Sequence, residues 1–99
     1  MNDITSKELK ERIAKGEKLN ILDVREVSEY QQANLNGLLI PLGTLPNRLA
    51  EIENWKTEEI IVHCRSGRRS DNAKQFLEMQ GFTKVRNLLG GIDEFLASE

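Results

Sequence analysis

Residues 59–70 read EIIVHCRSGRRS, an apolar run that ends on the only cysteine of the chain, Cys64. The β-branched residues at 60–62 are typical of a buried strand. The following segment, 71–80, carries apolar side chains at helical spacing. The stretch therefore predicts a strand, a short loop and a helix, with the cysteine in the turn between them.

The residues around this turn favour a negatively charged sulfur. In a loop between a strand and a helix, backbone N–H groups can converge on one point, and the first N–H groups of the helix lack intrahelical partners. Arg65, Arg68 and Arg69 add positive charge, which together with the helix N-terminus lowers the pKa of a thiol. Gly67 supplies backbone freedom, and Ser70 is a preferred residue type for a helix cap. We therefore predict a thiolate at neutral pH.

Length and composition restrict the class of protein. The 99 residues suffice for one compact domain with a single core, so we predict one domain over 1–99. The formal net charge of −2 gives no indication of a nucleic-acid partner. One cysteine cannot form an intramolecular disulfide, and it cannot supply a structural zinc site, which uses about four ligands. We predict no metal and no cofactor.

No segment of the sequence suggests a membrane or an export signal. The first residues contain no apolar stretch after a basic segment, so they do not resemble a signal peptide. No later run approaches the roughly 20 apolar residues that span a bilayer. We expect a cytoplasmic protein without membrane association, since a reducing compartment keeps a thiol free.

Helical and strand patterns alternate along the rest of the chain. Thr5 and Glu8 predict a capping box and a helix that ends at Gly16. Further predicted elements are a strand at 19–24, a helix at 27–32, a strand at 38–40, a helix at 45–52, a strand around 85 and a helix at 92–97. This alternation favours an α/β fold, with a mostly parallel sheet covered on both faces. Ligands of such sheets bind beyond the carboxyl ends of the strands, so the exit at 23–26 and the cysteine are expected to meet.

Four segments resemble the rhodanese sulfurtransferases. Residues 64–70 are similar to the active-site loop of that family, in which the cysteine carries a persulfide. Residues 22–30 (LDVREVSEY) resemble its "LDVRE..EY" segment, residues 36–42 (NGLLIPL) its "PGAINIPL" segment, and residues 81–92 (GFTKVRNLLGGI) its "GF..V..L.GGI" ending. The segments follow the order of the family and cover nearly the whole chain. The resemblance implies a three-layer fold with a central sheet of about four to five strands.

The resemblance also implies a function and its residues. Cys64 would take a sulfane sulfur from an anionic donor such as thiosulfate and pass it to cyanide, a small thiol or a thioredoxin-like protein. Asp23 and Arg25 would support the strand exit rather than react, and a monomer is expected. The substrate-binding residues implied are Arg65, Ser66, Gly67, Arg68, Arg69 and Ser70. Alternatively, Arg69 turns away to pair with a carboxylate such as Glu26.

Two other classes of protein stay open at this point. Cysteine phosphatases often carry His-Cys-x-x-Gly, as residues 63–67 do, but they place a phosphate-clamping arginine six positions after the cysteine, where this chain has Ser70. A binding module without turnover is the other alternative, although such relatives commonly lose the cysteine. His63 is predicted to pack, because neighbouring strand residues point to opposite faces. Asn34 and Phe95 depart from the family pattern, which predicts a pocket rim of different shape.

Overall fold

The computed structural model describes residues 1–98 and contains one parallel sheet of four strands. The strands are β1 (Asn20–Asp23), β2 (Leu38–Leu39), β3 (Glu59–His63) and β4 (Lys84–Asn87). Their order is β2-β1-β3-β4, and all three pairings are parallel. An isolated parallel bridge joins Ile4 to Leu88. The predicted parallel sheet is confirmed.

Helices cover both faces of the sheet, as the sequence predicted. The α-helices are α1 (Ser6–Ala14), α2 (Val27–Gln32), α3 (Arg68–Met79) and α4 (Gly91–Ala97). Successive side chains of β3 point to opposite faces, and so they enter two separate core clusters. Ile60 and Val62 pack in the cluster that includes Ala73 and Leu77 of α3. Ile61 packs in the cluster that includes Leu9 of α1, so the fold has three layers.

The first helix begins at the predicted cap. The Thr5 side chain accepts a hydrogen bond from the backbone N–H of Glu8 at 3.1 Å. Only this half of the predicted capping box is used for capping, because the Glu8 carboxylate binds Arg86 at 2.8 Å instead. The helix ends before Gly16, whose φ of +75° lies in the left-handed region that glycine tolerates.

The helix predicted at 45–52 is wrong. The segment forms two 3₁₀ helices, Leu42–Asn47 and Leu49–Trp55, separated at Arg48, where φ is −123°. Pro46 lies inside the first of them, and a proline ring would collide with the carbonyl four residues earlier in an α-helix. Leu45 and Ile52 are nevertheless both buried in the core cluster beside the sheet, as the predicted spacing required.

Helix α3 begins three residues earlier than predicted. Its N-cap is Gly67, with φ of +106°, and its first residue is Arg68. Ser70 therefore lies in the first turn of the helix and does not cap it. Within residues 1–98, no helix has both the length and the apolar character needed to cross a lipid bilayer.

Candidate active site

Cys64 lies directly after the carboxyl end of β3, in a loop of residues 64–67 that leads into α3. The N-terminus of α4 holds this loop from outside. The backbone N–H of Ile92 donates to the Cys64 carbonyl at 2.9 Å, and that of Asp93 to the Arg65 carbonyl at 3.0 Å. Gly91 makes this approach possible, since a Cβ there would lie 2.7 Å from the Cys64 carbonyl oxygen and would collide with that of Arg65. The loop carbonyls thus point away from the sulfur.

Three donors surround the Cys64 sulfur. The backbone N–H groups of Gly67 and Ser70 reach Sγ at 3.2 and 3.4 Å, and the Ser70 hydroxyl lies 3.3 Å from it. We call these three groups the cysteine cradle. Ser70, predicted as a helix cap, thus contributes to the cradle with both its backbone and its side chain.

The cradle decides whether the pKa of Cys64 is raised or lowered. Burial raises the pKa of the Cys64 thiol, but hydrogen bonds from the Ser70 side chain and from the backbone of Ser70, Gly67 and Ser66 outweigh it, and the pKa is lowered. Only 1% of Cys64 is exposed, so the sulfur is shielded from bulk water. The lowered pKa therefore has hydrogen-bond donors, rather than the arginines, as its main cause.

The three arginines of the motif occupy different surroundings. The Arg65 side chain is 63% exposed and lies 3.7 Å from the Asp93 carboxylate. Arg68 is exposed at the start of α3. Arg69 forms two hydrogen bonds to Glu29, of 2.8 and 2.9 Å. The predicted pairing of Arg69 with a carboxylate occurs, but the partner is Glu29 and not Glu26.

Asp23 and Arg25 form a buried ion pair where β1 ends. Arg25 Nη2 lies 2.8 Å from Asp23 Oδ2, and the same nitrogen donates to the Ala33 carbonyl at 2.7 Å. The pair therefore ties the strand exit to the end of α2, which is a supporting position. His63 Nε2 lies 3.6 Å from Asp23 Oδ2, and burial lowers the His63 pKa, which favours the neutral imidazole. The histidine faces the layer opposite Cys64.

Comparison with known proteins assigns the family. Residues 5–98 match the model of the rhodanese-like domain. The chain belongs to the rhodanese-like family. It is 37% identical over 93 residues to a sulfurtransferase of Allochromatium vinosum, covering 93% of this chain and 85% of that protein. The human single-domain sulfurtransferase TSTD1 has a similar structure, with a TM-score of 0.83 and 25% identity, over 98% of this chain and 96% of that one.

A longer relative contains a further region. YrkF of Bacillus subtilis is 39% identical over 94 residues, which are 94% of this chain but 50% of YrkF. The chain thus spans half the length of that relative.

Asn87 is a residue of this rhodanese-like site that the sequence analysis missed. It ends β4, and its Nδ2 donates to the Gly67 carbonyl at 3.0 Å. Its Oδ1 accepts from the Ser70 hydroxyl at 2.6 Å. The available signal was a polar residue at the end of a strand that neighbours β3, since the carboxyl ends of parallel strands share one edge.

Two concavities flank the loop of the rhodanese-like domain. One, of about 580 Å³, is lined by residues that include Ser66, Arg68 and Asn87. The other, of about 280 Å³, is lined by residues that include Arg65 and Arg25. Cys64 is not among the residues that line either of them.

The two residues that depart from the family pattern do not line these concavities. Asn34 and Phe95 are not among the residues that line either concavity. Asn34 bonds within its own turn, to the Tyr30 carbonyl at 3.0 Å. Phe95 packs against the core cluster beneath α1. The prediction that these residues reshape the rim therefore finds no support in their contacts.

Proposed function

We propose that the chain is a sulfurtransferase in which Cys64 carries a sulfane sulfur as a persulfide. The observation that carries this proposal is the cysteine cradle, in which two backbone N–H groups and one hydroxyl lie within 3.4 Å of Sγ. The cradle occupies the carboxyl end of a parallel strand, where ligands of such sheets bind. Similarity to proteins named sulfurtransferases supports the same class of reaction.

The first half-reaction is a displacement at sulfur. The Cys64 thiolate attacks the outer sulfur of thiosulfate and forms an S–S bond with it. The S–S bond of thiosulfate breaks, and sulfite leaves with the bonding electron pair. The three negative charges of the reactants reappear on the persulfide and sulfite, so no oxidant and no proton is consumed.

The second half-reaction returns the enzyme to its resting state. The carbon of cyanide attacks the outer sulfur, thiocyanate leaves, and the electron pair of the S–S bond returns to Cys64 as a thiolate. A small thiol or the thiol of a thioredoxin-like protein would attack the same atom. A lowered pKa makes Cys64 a better leaving group in this step, and the cradle supplies it.

An anionic donor fits the charges at the mouth of the loop. Arg65 and Arg68 are exposed beside it, and guanidinium groups offer forked donors to oxyanions. The small exposure of Cys64 favours a donor that presents a single terminal sulfur, as thiosulfate does. A thiol that must stay free suits a reducing compartment such as the cytoplasm.

Phosphate-ester hydrolysis has less support. That chemistry needs a guanidinium to clamp the phosphoryl oxygens, and the nearest candidate, Arg69, is bound to Glu29 by two hydrogen bonds. The position six residues after Cys64 holds Ser70, whose hydroxyl belongs to the cradle.

Mass spectrometry of the intact protein tests the proposal. Treatment with thiosulfate should add the mass of one sulfur, cyanide should remove it, and Cys64→Ser should gain none. An unchanged mass with several sulfane donors would overturn the proposal and favour a binding module. Hydrolysis of a phosphomonoester that disappears in Cys64→Ser would favour the phosphatase alternative instead.

A further inference from the structure

Asn87 contacts two parts of the cysteine loop with one buried amide. Its Nδ2 lies 3.0 Å from the Gly67 carbonyl oxygen and its Oδ1 lies 2.6 Å from Ser70 Oγ, and the residue is 5% exposed. A backbone carbonyl can only accept a hydrogen bond, so the atom facing Gly67 must be the amide nitrogen. The amide oxygen therefore faces Ser70.

The Ser70 hydroxyl consequently has two acceptors and a single proton. Asn87 Oδ1 lies at 2.6 Å and Cys64 Sγ at 3.3 Å. When the proton points to Asn87, a lone pair of Oγ faces the sulfur. That arrangement suits a thiol, which can donate its own proton, and disfavours a thiolate. A thiolate draws the Ser70 proton to itself and leaves the buried amide oxygen without that donor.

We propose that Asn87 is a positioning residue that competes with Cys64 for the Ser70 proton and thereby sets how readily the sulfur carries negative charge. The inference extends the proposed function, because its consequence for turnover rests on sulfur transfer by Cys64. In a persulfide the charge lies on the outer sulfur, and the inner sulfur is a weaker acceptor. The Ser70 proton then returns to Asn87, so the hydroxyl alternates between its two acceptors during one turnover.

The rest of the loop does not depend on Asn87. The Gly67 carbonyl also accepts the backbone N–H of Asp71 at 3.0 Å, the first hydrogen bond of α3. The N–H groups of Gly67 and Ser70 reach the sulfur from a backbone that this helix holds. Removal of the Asn87 side chain should therefore release the hydroxyl while the two backbone donors stay in place.

Charged groups near this network come from several elements and stay the same in every variant below. Arg69 of α3 attracts the Cys64 sulfur and is itself paired with Glu29 of α2. Asp3 accepts the backbone N–H of Asn87 at 3.0 Å and is paired with Lys74. The two other arginines of the motif are exposed, and burial lowers the pKa of the histidine before the cysteine.

The rate of alkylation of Cys64 by iodoacetamide, measured across pH, tests the inference. The chain has one cysteine, so each rate reports a single thiol. In Asn87→Ala we expect the pKa of Cys64 to fall by about one pH unit, the size expected for one added hydrogen bond to a charged acceptor. Ser70→Ala should raise the pKa. In the Ser70→Ala background, Asn87→Ala should leave the pKa unchanged, because no hydroxyl is left to share.

Any other pattern of Cys64 pKa shifts in these variants overturns the inference. An unchanged or raised pKa in Asn87→Ala would contradict it, and so would an equal shift with and without Ser70, which indicates a purely structural role. Asn87→Val fills more of the vacated space, suits a strand and carries the same prediction if the alanine variant does not fold. Asn72→Ala is the matched control, since it removes an exposed amide from the same concavity and should change nothing.

The outcome is independent of sulfur transfer. The alkylation assay uses no sulfur donor, so the proton competition is measured whether or not the protein accepts sulfur. A chain that shows the expected dependence on Ser70 but gains no sulfur from any donor would contradict the proposed function alone.

Discussion

The two ends of strand β3 each stabilise a negative charge, but with different partners. At the amino end, Glu59 accepts hydrogen bonds from the guanidinium groups of Arg12, at 2.6 and 2.7 Å, and Arg86, at 3.0 Å. At the carboxyl end, Cys64 accepts only from uncharged N–H and hydroxyl groups. Arginine hydrogen bonds lower the pKa of Glu59, whereas at Cys64 burial raises the pKa and hydrogen bonds from uncharged donors outweigh that effect.

The difference between charged and uncharged partners indicates the role for which each end of β3 is suited. Glu59 forms ion pairs with Arg12 and Arg86, and these pairs join α1, β3 and β4. Each charge there is held by a fixed counter-ion. At Cys64 the stabilising groups are dipoles, which favour negative charge without tying it to a counter-ion. In the proposed function this charge would pass to a transferred sulfur, and the exposed arginines of the motif would be available for the donor.

The largest effect is expected from a substitution that disrupts the backbone of the loop at the carboxyl end of β3. In Gly91→Ala the new Cβ would collide with the loop carbonyls, at a residue whose φ is +62°. We expect a loss of about 2–4 kcal/mol in the free energy of unfolding, from overpacking and backbone strain together, and loss of sulfur transfer. Urea denaturation and the persulfide mass shift measure the two effects.

Gly43→Ala is the matched control for that change. No atom lies within 4 Å of the Cβ position at Gly43, which is exposed. This variant should keep both the stability and the sulfur transfer of the wild type. Equal behaviour of the two alanine variants would show that close backbone contact with α4 does not shape the loop.

A smaller effect is expected from the amino end. Glu59→Gln removes the charge between Arg12 and Arg86, and we expect a loss of about 1–2 kcal/mol in the free energy of unfolding at pH 7, since the pair is only half-buried. The folded-state pKa of Glu59 lies below its usual 4.5, so this difference should be complete above pH 4.5 and should disappear as the pH falls through the lower value. Urea denaturation at several pH values measures it.

Alkylation of Cys64 should not respond to that change, because the two ends share no contact. Glu53→Gln is the control, since Glu53 is 62% exposed and lies 3.7 Å from Lys56, and it should leave stability unchanged. A loss in Glu53→Gln equal to that in Glu59→Gln would mean that the Glu59 cluster contributes no more than a surface charge.

The smallest effect is expected when the salt concentration is raised and the alkylation rate of Cys64 is measured. Because uncharged groups form the cradle, raising the salt from about 0.05 to 1 M should change the rate of alkylation of Cys64 by the neutral reagent iodoacetamide less than about twofold. The stability difference of Glu59→Gln should shrink over the same range, since salt screens half-buried ion pairs. A strong fall in the alkylation rate with salt would mean that the arginines, and not the uncharged donors, are the main cause of the lowered thiol pKa.

Local patterns in the sequence predicted the elements well where one neighbourhood decides the outcome. The strand at β3, the helix at 27–32 and the Thr5 cap agree with the structure. The pattern failed at 45–52, because spacing alone does not distinguish an α-helix from two 3₁₀ helices that bury the same leucine and isoleucine.

Partners that come from distant segments were the ones that sequence reasoning missed. The carboxylate that binds Arg69 lies 40 residues away, at Glu29, and the predicted candidate Glu26 carries the same functional group. The amide that binds Ser70 lies 17 residues away, at Asn87. Neither separation leaves a periodic signal, since side-chain pairs between elements depend on how the elements pack.

The sequence by itself determined that the single cysteine stands between a buried strand and a helix, because β-branched runs, a glycine and helical spacing are local properties of the chain. Only the tertiary structure decided which groups surround the sulfur. The N-terminus of α4 turns the loop carbonyls outward, and the end of β4 brings an amide to Ser70. Hydrogen bonds act over about 3 Å, so the donors that matter are set by packing and not by position along the chain.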